Sequence, residues 1–368
     1  LGERQGHLFP VALVCSLLLF MTGGLSSFMP LGEAISHAFI MGTYPAEEAD
    51  VLAAERAYCE MEKELEDELD HYEARHPGCD EYNVKAQEIW HDPYALCAII
   101  SAYLGGEEWT IDSAYPVMER YFKLQYVLTE KITTETRYRT EQRVGQQLVT
   151  DPKTGAQRWE SYTYEVEVPY TYRICDVKLE NKNLSHQPVY SMSREKMGLY
   201  ALYMSTLGNM PDLFAGKPHA SQLKDPLLYD VPEEYKQADP QFGKLIEEAE
   251  KYLGFPYVWG GSSPDTSFDC SGFVSYVFTN SGVYNTGRLG ATGLYGICQK
   301  ITADEARPGD LIFFEGTMGE DVGGITHVGL YVGDNMMIHC GNPITYADLT
   351  RSYWQQHFYG FGRIPYDP

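Results

Sequence analysis

Apolar and polar positions along this chain of 368 residues follow several different patterns, and the first is a long uncharged run. Residues 8–31 contain no acidic or basic side chain and no histidine. A helix needs about 20 such residues to cross a bilayer core of about 30 Å. Because Gly, Ser and Pro weaken the second half of the run, three interpretations stay open: a membrane anchor, which is preferred, the apolar core of a secretory signal, or a buried helix.

Residues 45–76 have the pattern of a long amphipathic helix, with apolar residues at heptad spacing and acidic residues in the first turn. Pro77 and Gly78 end this pattern. Packing within its own domain is the preferred interpretation, and a coiled-coil partner site is the alternative. Shorter helices are predicted for residues 93–104, 112–129 and 192–207, and Ser193 is a plausible N-cap of the last one.

A change to alternation with a period of two predicts a long antiparallel hairpin over Glu130–Glu180. The even positions from Tyr162 to Ile174 carry only Tyr, Val or Ile, and even positions 132–140 carry Ile, Thr or Tyr. Between these arms, residues 151–155 have the sequence of a turn. An ordinary packed sheet face is the preferred interpretation, and a Tyr-rich face that stacks on sugars or on a partner protein is the alternative.

Periodicity then fades in a segment with five prolines between Pro211 and Pro240, which is typical of a semi-rigid spacer. The chain is therefore expected to have four parts. They are a membrane anchor or signal-like segment at 1–43, a helical region with the long hairpin at 44–215, a Pro-rich linker at 216–240 and a separate domain at 241–368.

Charge excludes one class of partner. The chain has 28 basic and 52 acidic residues, a net charge of −24, so phosphates are repelled and nucleic acid is not expected to bind. A hydrophobic content of 44% is enough for a packed core, and eight cysteines are too few for a disulfide scaffold of this length.

Candidate chemistry is concentrated after residue 241. Asp269 and Cys270 precede an apolar run at helical spacing, which places Cys270 at or near a helix N-terminus. The helix dipole and the free amides there favour a thiolate, the form that attacks a carbonyl carbon. A nucleophilic cysteine also needs a base, and the candidates lie in two later strands.

Alternation along residues 325–333 places His327 and Gly329 on one face of a strand. If a three-residue turn pairs Val332 with Met336, Gly329 lies opposite His339, and the two histidines are diagonal neighbours about 7–8 Å apart. One imidazole is then the base and the other orients it. Zinc held by these histidines and Cys340 is disfavoured, because Cys340 points to the opposite face.

From Lys244 to Arg363 the sequence resembles the NlpC/P60 family of cysteine peptidases, through the strings YVWGG, FDCSGFV, RPGDLIFF, THVGLYVG and MIHC. The resemblance implies a papain-like α+β fold, with helices packed on an antiparallel sheet, that cuts peptidoglycan stem peptides without a metal or organic cofactor. It also implies a role for each matching residue: Cys270 as nucleophile, His327 as base, His339 as orienting residue, and Tyr257, Asp269, Ser271 and Arg288 as substrate-binding residues.

One departure concerns specificity. After Arg288 the family commonly has a hydroxyl residue and another small polar one, where this chain has Leu289 and Gly290. The middle region more weakly resembles proteins of conjugative elements in Gram-positive bacteria, in which a membrane-anchored hydrolase opens the wall for the transfer apparatus.

The expected function is therefore a cell-wall endopeptidase that cleaves between D-Glu and the diamino acid. Its expected location is the outer face of the cell membrane, or outside the cell if the N-terminal segment is cleaved. Two alternatives stay open: a non-catalytic wall-peptide-binding component of a conjugation or secretion machine, and an acyltransferase or amidase on the same fold.

Overall fold

The computed structural model describes residues 41–318 and 323–366. These residues form two compact units: the first takes in the described residues up to 59, residues 90–125 and those from 182 onward, and the second takes in residues 60–89 and 126–181. The apolar run at 8–31, on which the membrane prediction rests, lies outside the described residues. Among the helices that the structure describes, none is both long and apolar enough to cross a bilayer.

The second unit is built on the predicted hairpin. Strands β2 (Tyr126–Thr150) and β3 (Gln157–Asn181) pair without interruption from Tyr126 opposite Asn181 to Thr150 opposite Gln157. The carboxylate of Asp151 closes the turn by accepting from the amides of Lys153 and Thr154. Strand β1 (Glu81–Ala86) adds in parallel to the base of β3, opposite Ile174–Leu179. The hairpin and its turn are thus confirmed.

The strand register and the exposure of the side chains correct the prediction that the Tyr-rich face of the hairpin is packed. An even position of β3 always pairs with an odd position of β2, as in Tyr164 opposite Arg143, so the even stripes of the two strands lie on opposite faces. Side chains are buried at the base, at Cys175, Val177 and Leu179, whereas Tyr162 is 45% exposed. A packed face is therefore wrong for the outer part of the ribbon, because the third strand covers only its base.

Helices of the first unit lie close to their predicted positions. Helix α3 (Pro93–Tyr103), which is buried, begins after its side-chain cap Asp92. Helix α6 (Arg194–Thr206) begins after the cap Ser193, as the sequence predicts. The second of the predicted short helices ends earlier than expected, because the chain enters β2 at Tyr126. From residue 41 to residue 206, the α-helices are α1 (Glu48–Asp70, which also runs into the second unit), α2 (Tyr72–Arg75, in the second unit), α3 (Pro93–Tyr103), α4 (Ile111–Gln125), α5 (Pro188–Ser191) and α6 (Arg194–Thr206).

Part of the Pro-rich segment packs on the domain that follows it. The amide of Leu227 donates to the Thr345 hydroxyl at 2.7 Å, and Val231 is buried in the C-terminal core. The hydroxyls of Tyr229 and Tyr235 both donate to Asp334. The segment ends in a short helix, α7 (Glu233–Ala238). The boundaries proposed at 215 and 240 stay predictions.

The C-terminal part has a six-stranded sheet, in the order β10 (Ile344–Asp348), β9 (Met336–Cys340), β8 (Ile325–Gly333), β7 (Leu311–Glu315), β11 (Phe358–Arg363) and β6 (Gln299–Ile301). Its pairings are antiparallel, and helices α8 and α9 contribute a buried apolar face to the same core. This agrees with the expected α+β architecture. The elements are α8 (Pro240–Glu250), β4 (Ser262–Ser263), β5 (Ser267–Phe268), α9 (Cys270–Asn280), α10 (Ala291–Ile297), β6 (Gln299–Ile301), β7 (Leu311–Glu315), β8 (Ile325–Gly333), β9 (Met336–Cys340), β10 (Ile344–Asp348), α11 (Ser352–His357) and β11 (Phe358–Arg363).

Candidate active site

Helix α9 begins at Cys270, as the sequence predicts. Asp269 is its N-cap, and the Asp269 carboxylate accepts from the amide of Gly272 at 2.6 Å. A Cβ on Gly272 would lie only 2.2 Å from the carbonyl oxygen of Gly261. The first turn of the helix therefore packs directly on the backbone that precedes β4, and this close approach fixes the position of Cys270.

A network of three polar side chains surrounds the helix start. Arg288 donates to the Asp269 carboxylate at 2.5 Å and to the Ser271 hydroxyl at 2.9 Å. Ser271 donates in turn to Asp269 at 2.9 Å. The structure thus brings the predicted substrate-binding residues Asp269, Ser271 and Arg288 together beside Cys270.

The Cys270 thiol is buried, with 6% of the residue exposed. Its Sγ lies 3.9 Å from the carbonyl oxygen of Thr326, and it also interacts with the backbone amide of Val328, which lowers the pKa of the thiol. Cys270 therefore faces the backbone on both sides of His327. Burial, and then the charge of Asp269, raise the pKa of Cys270 to about 12, although the amides of Val328 and Ser271 lower it.

That pKa corrects one expectation. The amides at the helix start do favour the thiolate, but burial outweighs them, so the resting cysteine is a thiol at neutral pH. The site consequently needs a base to remove the Cys270 proton.

The two histidines lie on neighbouring strands and are hydrogen-bonded to each other. The Nε2 atom of His327 on β8 lies 2.9 Å from the Nδ1 atom of His339 on β9. Gly329 lies opposite His339, as predicted. The turn differs from the prediction, because Gly333 rather than Val332 pairs with Met336, and a bulge in β8 between residues 331 and 333 restores the register.

Trp354 on α11 completes this part of the site, and sequence reasoning missed it. Its ring stacks on His327, with centroids 5.7 Å apart and planes at 26°, and meets His339 edge-on at 5.0 Å. Burial lowers the pKa of His327 to about 4 and holds the pKa of His339 well below its usual range. Both imidazoles are therefore neutral at pH 7. A lone Trp in a short polar helix carries no periodic signal that could have indicated this contact.

Two clefts open beside these residues. The cysteine cleft has a volume of 390 Å³ and is lined by Cys270, Asp269, Ser271 and Arg288, among others. The histidine cleft has a volume of 440 Å³ and includes His327, His339 and Trp354. Both clefts are bordered by a common ridge of four residues, Tyr257, Trp259, Met318 and Thr326. Tyr257 thus lies beside the nucleophile, as predicted.

Comparison with known proteins identifies this part of the chain. Residues 254–363 match the model of the NlpC/P60 family. The chain therefore contains an NlpC/P60 domain at these residues. The bifunctional muramidase/DL-endopeptidase CwlT of Bacillus subtilis (strain 168) is 46% identical over 121 residues, which are 33% of this chain and 36% of that protein.

Two further proteins match the NlpC/P60 domain. The probable endopeptidase p60 of Listeria seeligeri is 47% identical over 122 residues, which are 33% of this chain and 22% of that protein. The crystal structure of the NlpC/p60 domain of the peptidoglycan hydrolase SagA is 30% identical, and the match covers 33% of this chain and 97% of that one, with a TM-score of 0.27. The chain therefore spans only 36% and 22% of the length of the Bacillus and Listeria relatives.

A possible metal-ligand set lies outside the NlpC/P60 domain. Among the described residues, Glu55, Cys59 and His91 are the group whose ligand atoms lie within 4.8 Å of one another. The ammonium of Lys217 already pairs with the Glu55 carboxylate at 2.5 Å, and His91 contacts its other oxygen at 2.9 Å. These contacts satisfy the carboxylate with an ammonium and an imidazole, which accounts for the cluster as a structural one.

A first prediction concerns Gly329 of the NlpC/P60 domain. A Cβ at this position would lie 2.7 Å from Met337 Sδ and 3.2 Å from His339 Cβ. We expect Gly329→Ala to shift His339 by a few tenths of an ångström and to lower kcat/KM on muropeptides about tenfold. Gly323→Ala is the matched control, because no atom of the described residues lies within 4 Å of a Cβ at that position. Equal kcat/KM for the two variants would contradict the prediction.

Proposed function

We propose that this protein is a cell-wall hydrolase, a cysteine endopeptidase that cuts amide bonds in the stem peptides of peptidoglycan. The observation that carries the proposal is the placement of Cys270 at the start of α9, against the backbone that flanks His327, with His327 hydrogen-bonded to His339. A buried thiol beside a neutral imidazole that a second ring holds in place is the arrangement that nucleophilic catalysis requires.

The hydrogen bond between the two histidines indicates which ring nitrogen of His327 takes the proton from Cys270. If the neutral His327 donates its Nε2–H to His339 Nδ1, then His327 Nδ1 carries the lone pair. This nitrogen takes the Cys270 proton, and the thiolate attacks the amide carbon. When the tetrahedral intermediate collapses, the same nitrogen gives the proton to the leaving amine, which leaves a thioester on Cys270. Water then attacks the thioester with His327 as its base, and the thiol is restored.

The negative oxygen of the intermediate also needs donors. The amides of Cys270 and Ser271 are candidates, since the first amides of a helix have no partner within it, whereas the Gly272 amide already donates to Asp269. Tyr257 is a second candidate, because burial raises the pKa of its hydroxyl and keeps the proton on the oxygen. In the cysteine cleft, Asp269, Ser271 and Arg288 are proposed to contact the acyl part of the substrate.

For the bond, we propose the link between D-Glu and the diamino acid. The name of the Bacillus relative, a DL-endopeptidase, supports cleavage between a D- and an L-residue.

The uncharged residues 8–31 support a membrane tether that keeps the enzyme at the outer face of the membrane. A reporter that works only in the cytoplasm, fused after Pro368, should then be silent. The weak likeness of the middle region supports a role in opening the wall for conjugation, and deletion of the gene from a conjugative element should lower transfer.

The direct test is incubation of the purified protein with muropeptides and mass measurement of the products. We expect two fragments, the larger ending at D-Glu and the smaller beginning with the diamino acid. Intact muropeptides that nevertheless bind would favour the wall-peptide-binding alternative. Release of the whole stem, or its transfer to another amine, would favour an amidase or acyltransferase.

The pKa of His327 gives a prediction for the pH profile. A lowered imidazole pKa means that the base stays neutral as the pH falls from 7 and is protonated only near pH 4. We therefore expect the acid limb of kcat/KM near pH 4 rather than near the ordinary histidine value of about 6.5. The apparent value belongs to the coupled cysteine and histidines together. Circular dichroism at each pH must report folded protein, because protonating a buried neutral histidine also destabilises the fold as the pH falls. An acid limb between pH 6 and 7 in folded protein would contradict this.

A further inference from the structure

The hairpin of the second unit leaves one long strand edge uncovered. The three-stranded sheet has the order β1-β3-β2, so among the described residues β2 has a neighbouring strand on one side only. Every residue of β2 after Tyr126 is exposed or half-buried. The pairing with β3 has no bulge over its 25 residues. The other side of β2 is therefore a regular row of unpaired backbone groups, which can pair with a further strand.

The hydrogen bonds beside β1 show which residues of β2 face this edge. The carbonyl of Arg173 on β3 accepts from the amide of Asp80, and the carbonyl of Leu179 accepts from that of Gln87. Arg173 thus points away from β2, where Thr134 lies opposite it. Opposite residues of an antiparallel pair either bond to each other or both point away. The even residues of β2 therefore present their amides and carbonyls to the free edge.

The outer edge of β3 is less suited to pairing. Strand β1 covers it at Ile174–Leu179, and Pro169, which has no amide hydrogen, interrupts the row of donors further out. A proline on an edge strand is a common guard against pairing with another chain. Strand β2 contains no proline between Tyr126 and Thr150. Of the two edges of the hairpin, that of β2 is thus the one open to a further strand.

The charges on β2 suit a second copy of the same strand. One face carries Glu135, Arg137, Arg139, Glu141 and Arg143 in this order. In an antiparallel pair of copies with Arg139 at the centre, Glu135 of each copy lies opposite Arg143 of the other. Arg137 then lies opposite Glu141 in the same way. Unlike charges on facing residues stabilise a sheet, and the central arginine also pairs with Glu141 of its own chain at 2.8 Å.

The same register gives the longest overlap. With Arg139 at the centre, Leu128 of one copy lies opposite Thr150 of the other, so the two free edges pair over their whole length. A register centred one residue earlier would place acidic residues opposite acidic ones and basic opposite basic. A register centred on Thr136 keeps unlike charges together, but it carries the end of the partner strand and its turn past Tyr126, which is already buried.

We infer that the protein forms a two-fold dimer in which the free edges of β2 from two copies pair antiparallel, with Arg139 on the axis. The two hairpins then form one continuous sheet with up to about two dozen new backbone hydrogen bonds. This dimer does not depend on the proposed function, so the Cys270→Ala protein should form it equally well.

The first test is sedimentation velocity of the purified full chain over a range of micromolar concentrations. Tyr138→Pro removes an amide hydrogen that faces the free edge and that the hairpin itself does not use, since Tyr138 lies opposite Pro169. We expect the dissociation constant of the dimer to rise about tenfold or more, because hydrogen bonds are lost twice by symmetry. Thr163→Pro is the matched control, since it makes the same change on the outer edge of β3, opposite Val144.

A second test fixes the register. Arg139→Cys places one thiol of each copy directly opposite the other, at a Cβ separation of about 5 Å. Oxidised glutathione should then join the copies through a disulfide and be reduced to two thiols, which a non-reducing gel detects. Arg143→Cys is the control, because its two thiols lie eight residues apart along the paired strands, roughly 27 Å. The unaltered protein should not be cross-linked either.

Each outcome decides the inference. A chain that stays monomeric at all concentrations would overturn it. A dimer that a folded Tyr138→Pro protein keeps at full affinity, or that cross-links as readily through Arg143→Cys, would show that the copies associate through another surface and would overturn it too. A dimer of the expected register in a protein that does not cut muropeptides would leave the inference standing and overturn the endopeptidase.

Discussion

Cys270→Ser is expected to lower the turnover of muropeptides by roughly 10⁴-fold or more, with substrate binding largely kept. A hydroxyl fits the same buried position at the start of α9 but is a far weaker acid than a thiol. The neutral His327 must remove this proton in a setting where burial already raises the pKa of the thiol to about 12. At the same buried position, the neutral imidazole cannot deprotonate a serine hydroxyl to an alkoxide.

The histidine variants should follow a definite order. His327→Ala is expected to be nearly as damaging as Cys270→Ser, because both proton transfers pass through that imidazole. His339→Ala should cost less, about 10²–10³-fold, since the base remains but its tautomer and orientation are no longer fixed. The double variant Cys270→Ser with His327→Ala should be no worse than either single one, because the two residues act as a unit.

The measurement is muropeptide cleavage followed by mass spectrometry, with circular dichroism to establish that each variant is folded. A folded Cys270→Ser protein that keeps wild-type turnover would mean that another group cuts the substrate. A His339→Ala variant weaker than His327→Ala would reverse the assigned roles of the two rings.

The largest expected loss of stability comes from Gly272→Ala. The new methyl carbon would lie 2.2 Å from the Gly261 carbonyl oxygen and 3.1 Å from the Ser262 Cα, and both are backbone atoms that cannot rotate away. Either α9 or the 260–262 segment must move. We expect the free energy of unfolding to fall by about 3 kcal/mol and activity to fall with it, because Cys270 lies on the same turn.

Gly296→Ala in α10 is the matched control. Nothing lies within 4 Å of a Cβ at that position, and alanine is the better helix former, so stability should be unchanged or slightly higher. Thermal and urea unfolding of both variants measure the difference. A Gly272→Ala protein as stable as Gly296→Ala would mean that the helix start is not closely packed.

Local patterns were enough to predict several elements. Alternation predicted the hairpin to within about four residues at each end, since a period of two over so long a stretch has no helical equivalent. Strand alternation also placed Gly329 opposite His339. The same pattern could not decide which face of the ribbon is covered, because that depends on β1, a short strand from a distant part of the chain.

The site shows the same limit. Cys270, His327 and His339 lie in strings that resemble the NlpC/P60 family, so their grouping was predictable. Trp354 and His186 were missed, because each contacts the site through an irregular or short element that leaves no periodicity. The net Cys270 pKa could not be predicted for a related reason: the helix start, whose amides lower it, is visible in the sequence, whereas the burial that raises it is a property of the whole core.

Strand β11 gives the C-terminal sheet a definite order of completion during synthesis. It lies between β7 and β6, with Phe361 opposite both Ile312 and Ile301, yet it follows every other strand of that sheet in the chain. A nascent chain that has not reached residue 358 therefore leaves the facing edges of β7 and β6 without their shared neighbour. Because His327 lies on β8, which pairs with β7, the two histidines rest on a sheet that is complete only once residue 363 has been made.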